Sequence, residues 1–148
     1  MRSTIRKIAV PTDFSDASSR AVTYASGLAR GLGASLYLIH VLKDHEHYQN
    51  ARAALGTIAG TLADGVDVVT TEVRMGDPAE SIAEAARHYG ADLVVMATHG
   101  RTGLSHAISG SVAEAVIRAA CCPVLVLRDS GKVRVHRAAS DNSLAGAA

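Results

Sequence analysis

Short apolar runs alternate with helical segments along most of this chain, and this alternation is the feature that most constrains the fold. The five runs with strand character are Ile5–Val10, Ser35–Leu42, Val66–Val73, Asp92–Thr98 and Val124–Leu127. The second run is almost continuously apolar, which is typical of a strand that helices cover on both faces. The sequence therefore predicts an α/β fold in which a parallel sheet lies between two layers of helices.

Residues that begin and end helices support these boundaries. Asp77, Pro78 and Glu80 form a helix start, with Asp77 as the N-cap and proline at the first helical position. Gly90 suits the end of that helix, and Gly31 and Gly33 suit the end of the first one. A second capping box runs from Ser111 to Glu114 and predicts a helix that ends before Pro123.

Composition limits the classes of protein that fit. The 148 residues are enough for one domain, and a net charge of +1 with five aromatic residues argues against a dedicated nucleic-acid binder. No apolar run approaches the roughly 20 residues that a membrane helix needs, so we expect no membrane partner. Cys121 and Cys122 are adjacent and unsuited to bridging each other, which favours a reducing, cytoplasmic location. Their position at a helix end predicts a raised thiol pKa and no redox role.

The character of the chain changes after residue 127. We interpret residues 1–128 as one domain and residues 129–148 as a flexible tail without periodic segments. The tail is basic where it begins, with four cations and one aspartate between residues 128 and 137. The small positive charge of the chain therefore belongs to its tail.

Residues 96–111 are the stretch with the most chemical information. They leave a predicted strand, contain glycines at 100, 103 and 110, and enter a helix at Ser111. Glycines and a helix N-terminus allow backbone N–H groups to converge on an anion. On spacing alone, a phosphate site and an ordinary surface loop before a capped helix both remain open. The stretch is neither a Walker loop nor the dinucleotide fingerprint.

Several motifs together resemble the universal stress protein family over about residues 5–127. The resemblance rests on six short segments: residues 8–15 (Ile-Ala-Val-Pro-Thr-Asp-Phe-Ser), 40–41 (His-Val), 76–78 (Gly-Asp-Pro), 92–100 (Asp-Leu-Val-Val-Met-Ala-Thr-His-Gly), 110–113 (Gly-Ser-Val-Ala) and 122–126 (Cys-Pro-Val-Leu-Val). It implies a three-layer, Rossmann-like fold similar to the adenine nucleotide alpha hydrolase fold, with a five-stranded parallel sheet of order 3-2-1-4-5. A ligand would then bind between strands one and four, where the strand order reverses.

ATP-binding members of this family carry Gly-x-x-Gly, nine residues, then Gly-Ser or Gly-Thr. Gly100, Gly110 and Ser111 match the later part of this motif, whereas Ala97 stands where the first glycine is expected. By resemblance, Asp13 would face the ribose or a phosphate-bound metal, and the Val41 backbone would meet the adenine edge. As alternatives, Asp13 caps the first helix and Val41 is ordinary strand core. The full set of nucleotide-binding residues that we expect is Pro11, Thr12, Asp13, Val41, Met96, Ala97, Thr98, His99, Gly100, Arg101, Gly103, Gly110, Ser111 and Val112.

The resemblance implies a regulatory stress-response module that binds ATP, ADP or AMP, either alone or together with Mg²⁺. We expect no catalytic residue and no metal site of the chain's own, because no positioned base, nucleophile or ligand spacing emerges. Two alternatives remain: slow ATP hydrolysis or phosphoryl transfer, and a nucleotide-free interaction protein. We expect a homodimer through the apolar edge strand Val124–Leu127, and a further, unidentified protein partner.

Overall fold

The computed structural model describes residues 4–98 and 112–138 of the chain. The strands are β1 (Lys7–Pro11), β2 (Ser35–Leu42), β3 (Val69–Met75), β4 (Leu93–Ala97), β5 (Val124–Leu127) and β6 (Val133–His136). The helices are α1 (Asp16–Leu32), α2 (Tyr48–Leu62), α3 (Pro78–Tyr89) and α4, described over residues 112–119. Helices and strands alternate as the sequence predicts, up to the end of β5.

The strand order in the sheet is β3-β2-β1-β4-β5-β6. The first five strands are parallel and have the predicted order, whereas β6 is antiparallel to β5. Along the chain the sheet first grows outward from β1 to β3, then returns to place β4 on the other side of β1. The predicted reversal of strand order between β1 and β4 is confirmed.

Two apolar layers cover the sheet, one on each face. Alanines of α1 and leucines of α2 pack against alternate strand residues such as Ile8 and Leu36. On the other face, α3 and α4 pack against Ala9 and Ile39. The side chains involved are mostly Ala, Val, Leu and Ile, so helices of small residues lie directly on the sheet.

Capping residues fix where the helices begin and end. Asp77 accepts a hydrogen bond from Glu80 N at 3.0 Å, with Pro78 at the first position of α3. Gly33 and Gly90 end α1 and α3 in the left-handed conformation, at φ values of 67° and 76°. These predicted boundaries are confirmed. The predicted cap at Ser111 lies outside the described residues.

The strand β6 corrects the interpretation of the C-terminal region. Residues 133–136 form a regular strand paired with β5, so the tail is not without structure over these residues. The sheet therefore has six strands, and Val124–Leu127 does not lie at its edge as we expected. A sequence of four residues between charged neighbours carries too little periodicity to reveal such a strand. The remainder of the predicted tail, residues 139–148, lies outside the described residues.

Candidate functional site

A cleft opens where β1 and β4 separate at their carboxyl ends. The two strands pair over Ile8 and Ala9. Beyond Ala9, β1 no longer pairs with β4 but still pairs with β2. Pro11 pairs with Ile39, and Thr12 N donates to Ile39 O at 2.8 Å. Open α/β sheets bind ligands at such a reversal point.

A cavity of about 240 Å³ occupies this cleft, close to the lower end of the range for small-molecule sites, roughly 300–1,000 Å³. Seven of the predicted site residues line it: Pro11, Thr12, Asp13, Val41, Met96, Ala97 and Val112. Six further residues complete the lining: Ser15, Ser18, Ile39, His40, Pro78 and Ile82. The predicted residues thus include seven of the thirteen described lining residues, and the other six were not predicted.

The loop after β1 is held by a chain of local hydrogen bonds. Asp13 Oδ1 accepts from Ser15 N at 3.0 Å, and Ser15 Oγ accepts from Ser18 N at 3.2 Å. Ser15, rather than Asp13, is therefore the N-cap of α1. The alternative in which Asp13 serves as the helix cap is wrong, although its carboxylate does stabilise the turn that leads into the helix.

Three hydroxyl groups beneath this loop satisfy one another. Ser18 Oγ donates to Ser15 O at 3.0 Å, so the proton in its 3.0 Å contact with Thr12 comes from Thr12 Oγ1. Thr12 Oγ1 also accepts from Phe14 N at 3.0 Å, and Ser15 Oγ donates to Ser18 Oγ at 3.3 Å. Because every hydroxyl proton is used inside the cluster, these side chains position the loop and offer no donor to a ligand.

His40 and Phe14 join the loop to β2 from the α1 side of the sheet. His40 Nδ1 lies 2.7 Å from Thr12 O and must donate, since a carbonyl oxygen only accepts. The Phe14 ring stacks on His40 with a centroid distance of 4.3 Å. Phe14 has a φ of 65°, a left-handed conformation that costs a non-glycine residue about 1–2 kcal/mol. This strain lies directly beside the cavity, where the surrounding hydrogen bonds maintain it.

Val41 presents backbone groups toward the cavity. Backbone bonds of β2 alternate between its neighbours: Leu42 O accepts from Gly76 N on the β3 side, and Ile39 O accepts from Thr12 N on the β1 side. By this alternation, the N–H and C=O of Val41 face the β1 side, just beyond the end of β1. These groups are suitably placed to hydrogen-bond the edge of a heterocycle.

The end of β4 forms the opposite wall. Met96 and Ala97 line the cavity, while Thr98 N donates to Leu127 O at 3.0 Å and continues the ladder to β5. Among the described residues, Phe14 is the only non-glycine with positive φ, so Ala97 has an ordinary backbone conformation. The alanine that replaces the motif's first glycine therefore introduces no backbone strain.

Helix N-termini supply the positive potential of the site. The lining residues Ser15 and Pro78 lie at the first turns of α1 and α3, and Val112 is the first described residue of α4. α1 and α3 direct the positive ends of their dipoles toward the cavity, which favours an anion there. The described lining contains no Lys or Arg, so within it an anion would meet these dipoles and backbone N–H groups.

The lining provides little for a metal ion. Within residues 4–98 and 112–138, no group of three or more His, Cys, Asp or Glu side chains could hold one. Asp13 is the only carboxylate of the described lining. Mg²⁺ commonly binds through one carboxylate together with substrate phosphates and water, so this donor set fits a metal that arrives with a nucleotide.

The two cysteines lie away from this cavity. Burial raises the pKa of the Cys122 thiol to about 11, with smaller contributions from the nearby Cys121 and Asp92 charges. The sequence analysis predicts that the thiol pKa is raised, but its expected cause was the helix dipole, whereas the main cause is burial. Both thiols are free.

The remaining predicted residues fall in the loop between β4 and α4. His99, Gly100, Arg101, Gly103, Gly110 and Ser111 lie outside the described residues. Among the residues that the prediction missed, Pro78 and Ser15 had a signal, because both begin helices that follow carboxyl ends of strands. Ile39 and Ile82 had none, since an apolar residue in a cavity wall resembles any core residue.

Taken together, the sheet order and the cleft define an open α/β protein with a concave site at its topological reversal point. The model of the universal stress protein family matches residues 4–128, and the chain belongs to this family. It is 34% identical over 143 residues to universal stress protein MJ0531 of Methanocaldococcus jannaschii, covering 86% of this chain and 84% of that protein.

Solved structures of relatives share the fold. The structure of MJ0577, another universal stress protein of Methanocaldococcus jannaschii, superposes with a TM-score of 0.74 at 28% identity, covering 84% of this chain and 96% of that chain. A universal stress protein in complex with cAMP superposes with a TM-score of 0.67 at 28% identity, covering 83% and 96% of the two chains.

Proposed function

We propose that this chain is a regulatory module that binds an adenine nucleotide in the cavity between β1 and β4. The observation that carries the proposal is the convergence of three features on one cleft: the Val41 backbone groups, the Asp13 carboxylate and the N-termini of α1 and α3. These features match an adenine edge, a ribose and a phosphate respectively. The cAMP complex of a related protein supports the adenine nucleotide as the ligand class.

ATP is the nucleotide that we propose first, since Gly100, Gly110 and Ser111 match the later part of the family's ATP motif. Mg²⁺ would accompany its phosphates, with Asp13 as the nearest carboxylate of the described lining. ADP and AMP would share the same adenine and ribose contacts and differ in the helix-terminal contacts to phosphate.

The proposal is tested by nucleotide content and by thermal stability. Heat-denatured protein should release an adenine nucleotide, or else added ATP at about 100 times its Kd should raise Tm by roughly 5–10 °C. Gly110→Val should abolish the shift without changing the circular dichroism spectrum. Absence of both bound nucleotide and a shift would contradict the proposal, and a shift retained in Gly110→Val would move the site away from this loop.

We also propose that the chain is a binding module rather than an enzyme. Asp13 and His40 are the titratable side chains of the described lining, and both form hydrogen bonds that hold the loop after β1. Steady-state assays with Mg²⁺ and ATP should therefore give no turnover above the buffer rate. Turnover that Asp13→Ala abolishes would instead establish the hydrolase alternative.

Stress response, a cytoplasmic location and an unidentified protein partner complete the proposed role. No helix in the described part of the chain is long and apolar enough to cross a membrane. A homodimer through Val124–Leu127 remains a prediction of the sequence, and it would require β6 to leave that edge.

A further inference from the structure

The backbone of Thr12 is attached to β2 through both of its polar groups. Thr12 N donates to Ile39 O at 2.8 Å, and Thr12 O accepts from His40 Nδ1 at 2.7 Å. The hydrogen bonds that the Phe14 and Ser15 amides donate reach only two positions back along the chain, so they shape the loop after β1 without attaching it to β2. The His40 imidazole therefore supplies a side-chain attachment between this loop and the sheet.

This attachment acts on the peptide group that leads into Asp13. Thr12 O belongs to the planar unit that ends at the Asp13 Cα, so holding the oxygen holds the orientation of the whole plane. The remaining freedom of the Asp13 side chain is rotation about its own N–Cα bond and its χ angles. Asp13 and His40 both line the cavity. The imidazole is thus placed to influence where the Asp13 carboxylate points.

Strain at Phe14 gives the loop a reason to need this attachment. Phe14 has a φ of 65° and is 38% exposed, so its burial does little to hold it in the left-handed conformation. Strain of this kind favours a relaxed backbone by a factor of about 5–30 in population. The Phe14 ring also stacks on His40, with a centroid distance of 4.3 Å. His40 therefore contacts the loop on both sides of Asp13.

We propose that His40 is a positioning residue of the nucleotide site, whose Nδ1–H group holds the strained loop in the conformation that directs Asp13 toward the ligand. This inference rests on the proposed function, because it acts through the contact of Asp13 with the nucleotide. When the bond to Thr12 O is lost, the loop relaxes. Only the molecules that keep the original conformation then bind well, so the apparent affinity falls with their fraction.

Two substitutions at His40 separate its N–H group from its ring. His40→Phe keeps an aromatic ring against Phe14 but has no donor for Thr12 O. His40→Asn loses the ring but keeps an N–H at a comparable place, since asparagine Nδ2 and histidine Nδ1 are both bonded to Cγ. In isothermal titration calorimetry, His40→Phe should raise the Kd for ATP about 5- to 30-fold. His40→Asn should restore a Kd within about threefold of the wild type.

Two further variants distinguish loop positioning from a general loss of stability. Glycine adopts positive φ freely, so in a Phe14→Gly background His40→Phe should raise the Kd by less than about threefold. Asp92→Ala is the stability control, because Asp92 Oδ2 accepts from Arg6 N and Lys7 N at 2.9 and 3.0 Å, at the amino end of β1. This variant should lower the urea unfolding midpoint and leave the Kd unchanged.

The wild-type titration separates this inference from the proposed function. A wild type that binds no ATP would overturn the proposed function, and the positioning role with it. If the wild type binds ATP, the positioning role alone is overturned by any of three results: full affinity in His40→Phe, the same loss in His40→Asn, or an equal effect of His40→Phe with Phe14 and with Gly at position 14. If His40→Phe fails to fold by circular dichroism, His40→Leu removes the same donor and applies the same test.

Discussion

Asp13 has two functions at the residue scale, one structural and one proposed for the ligand. Its Oδ1 accepts from Ser15 N, which forms the turn into α1, and the same residue lines the cavity. Asp44 provides a natural comparison, because its Oδ1 accepts from Glu46 N at 3.0 Å in a similar turn outside the cavity lining. Substituting each of them in turn therefore distinguishes the effect of losing a turn hydrogen bond from an effect on ligand binding.

Asp13→Ala should weaken ATP binding roughly 10- to 150-fold, since a hydrogen bond from a ribose hydroxyl to a carboxylate contributes about 1.5–3 kcal/mol. Asp44→Ala removes a comparable turn bond and should leave the affinity unchanged. Isothermal titration calorimetry of both variants is the measurement. Equal affinities in the two variants would remove Asp13 from the binding site.

Cys122 offers a prediction with a defined pH dependence. Burial raises its thiol pKa from 9.0 to about 11, so the folded protein holds the proton more tightly than the unfolded chain does. In a Cys121→Ser background, iodoacetamide alkylation of Cys122 should keep rising with pH up to about 11. In guanidinium chloride the same rate should level off near pH 9. A plateau near 9 in the folded protein would contradict the burial of this thiol.

At the element scale, helix ends were the most predictable features of this fold. The Asp77-Pro78 start and the Gly33 and Gly90 ends follow from local chemistry, because capping and left-handed φ depend on the residues at those positions alone. The strand β6 was not predictable for the opposite reason. Val133 and Val135 form a strand because β5 lies beside them, and that neighbour is a property of the assembled sheet.

Two glycine substitutions compare a helix end with a helix interior in their effect on the free energy of unfolding. Gly33→Ala places a Cβ at a φ of 67° and should destabilise the protein by about 1 kcal/mol. Gly56→Ala lies inside α2, where an added Cβ meets no atom within 4 Å, and should stabilise it by about 0.5–1 kcal/mol. Urea unfolding midpoints should therefore move in opposite directions. A shared direction would refute this account of the glycine that ends α1.

The candidate site also contains residues that could be predicted from the sequence and residues that could not. The cavity residues in strands and helix starts, such as Thr12, Val41 and Ala97, were predictable because the resemblance fixes their position at the carboxyl ends of strands. His40 was not assigned to the site from the sequence. Its role depends on a hydrogen bond to Thr12 O across two strands, and on the Phe14 ring that a strained backbone places against it.

At the scale of the whole molecule, the excess of positive charge lies apart from the described cavity lining. The excess of cations lies in residues 128–137, on and beside β6, whereas the described cavity lining contains Asp13 and no Lys or Arg. Phosphate recognition by the described lining therefore depends on helix dipoles, which lie within the fold and act over short distances. The basic segment instead ends the sheet. A change in the charge of β6 should consequently leave nucleotide affinity unaltered.

The most direct test of the central claim is to locate the nucleotide by NMR. Titration of ATP into ¹⁵N-labelled protein should shift the backbone amides of Asp13, Val41 and Ala97 with one common Kd. The amides of Lys7, at the start of β1, and of Gly90, which ends α3, should not move. Shifts confined to other parts of the protein, or no shifts at millimolar ATP, would contradict an adenine nucleotide site between β1 and β4.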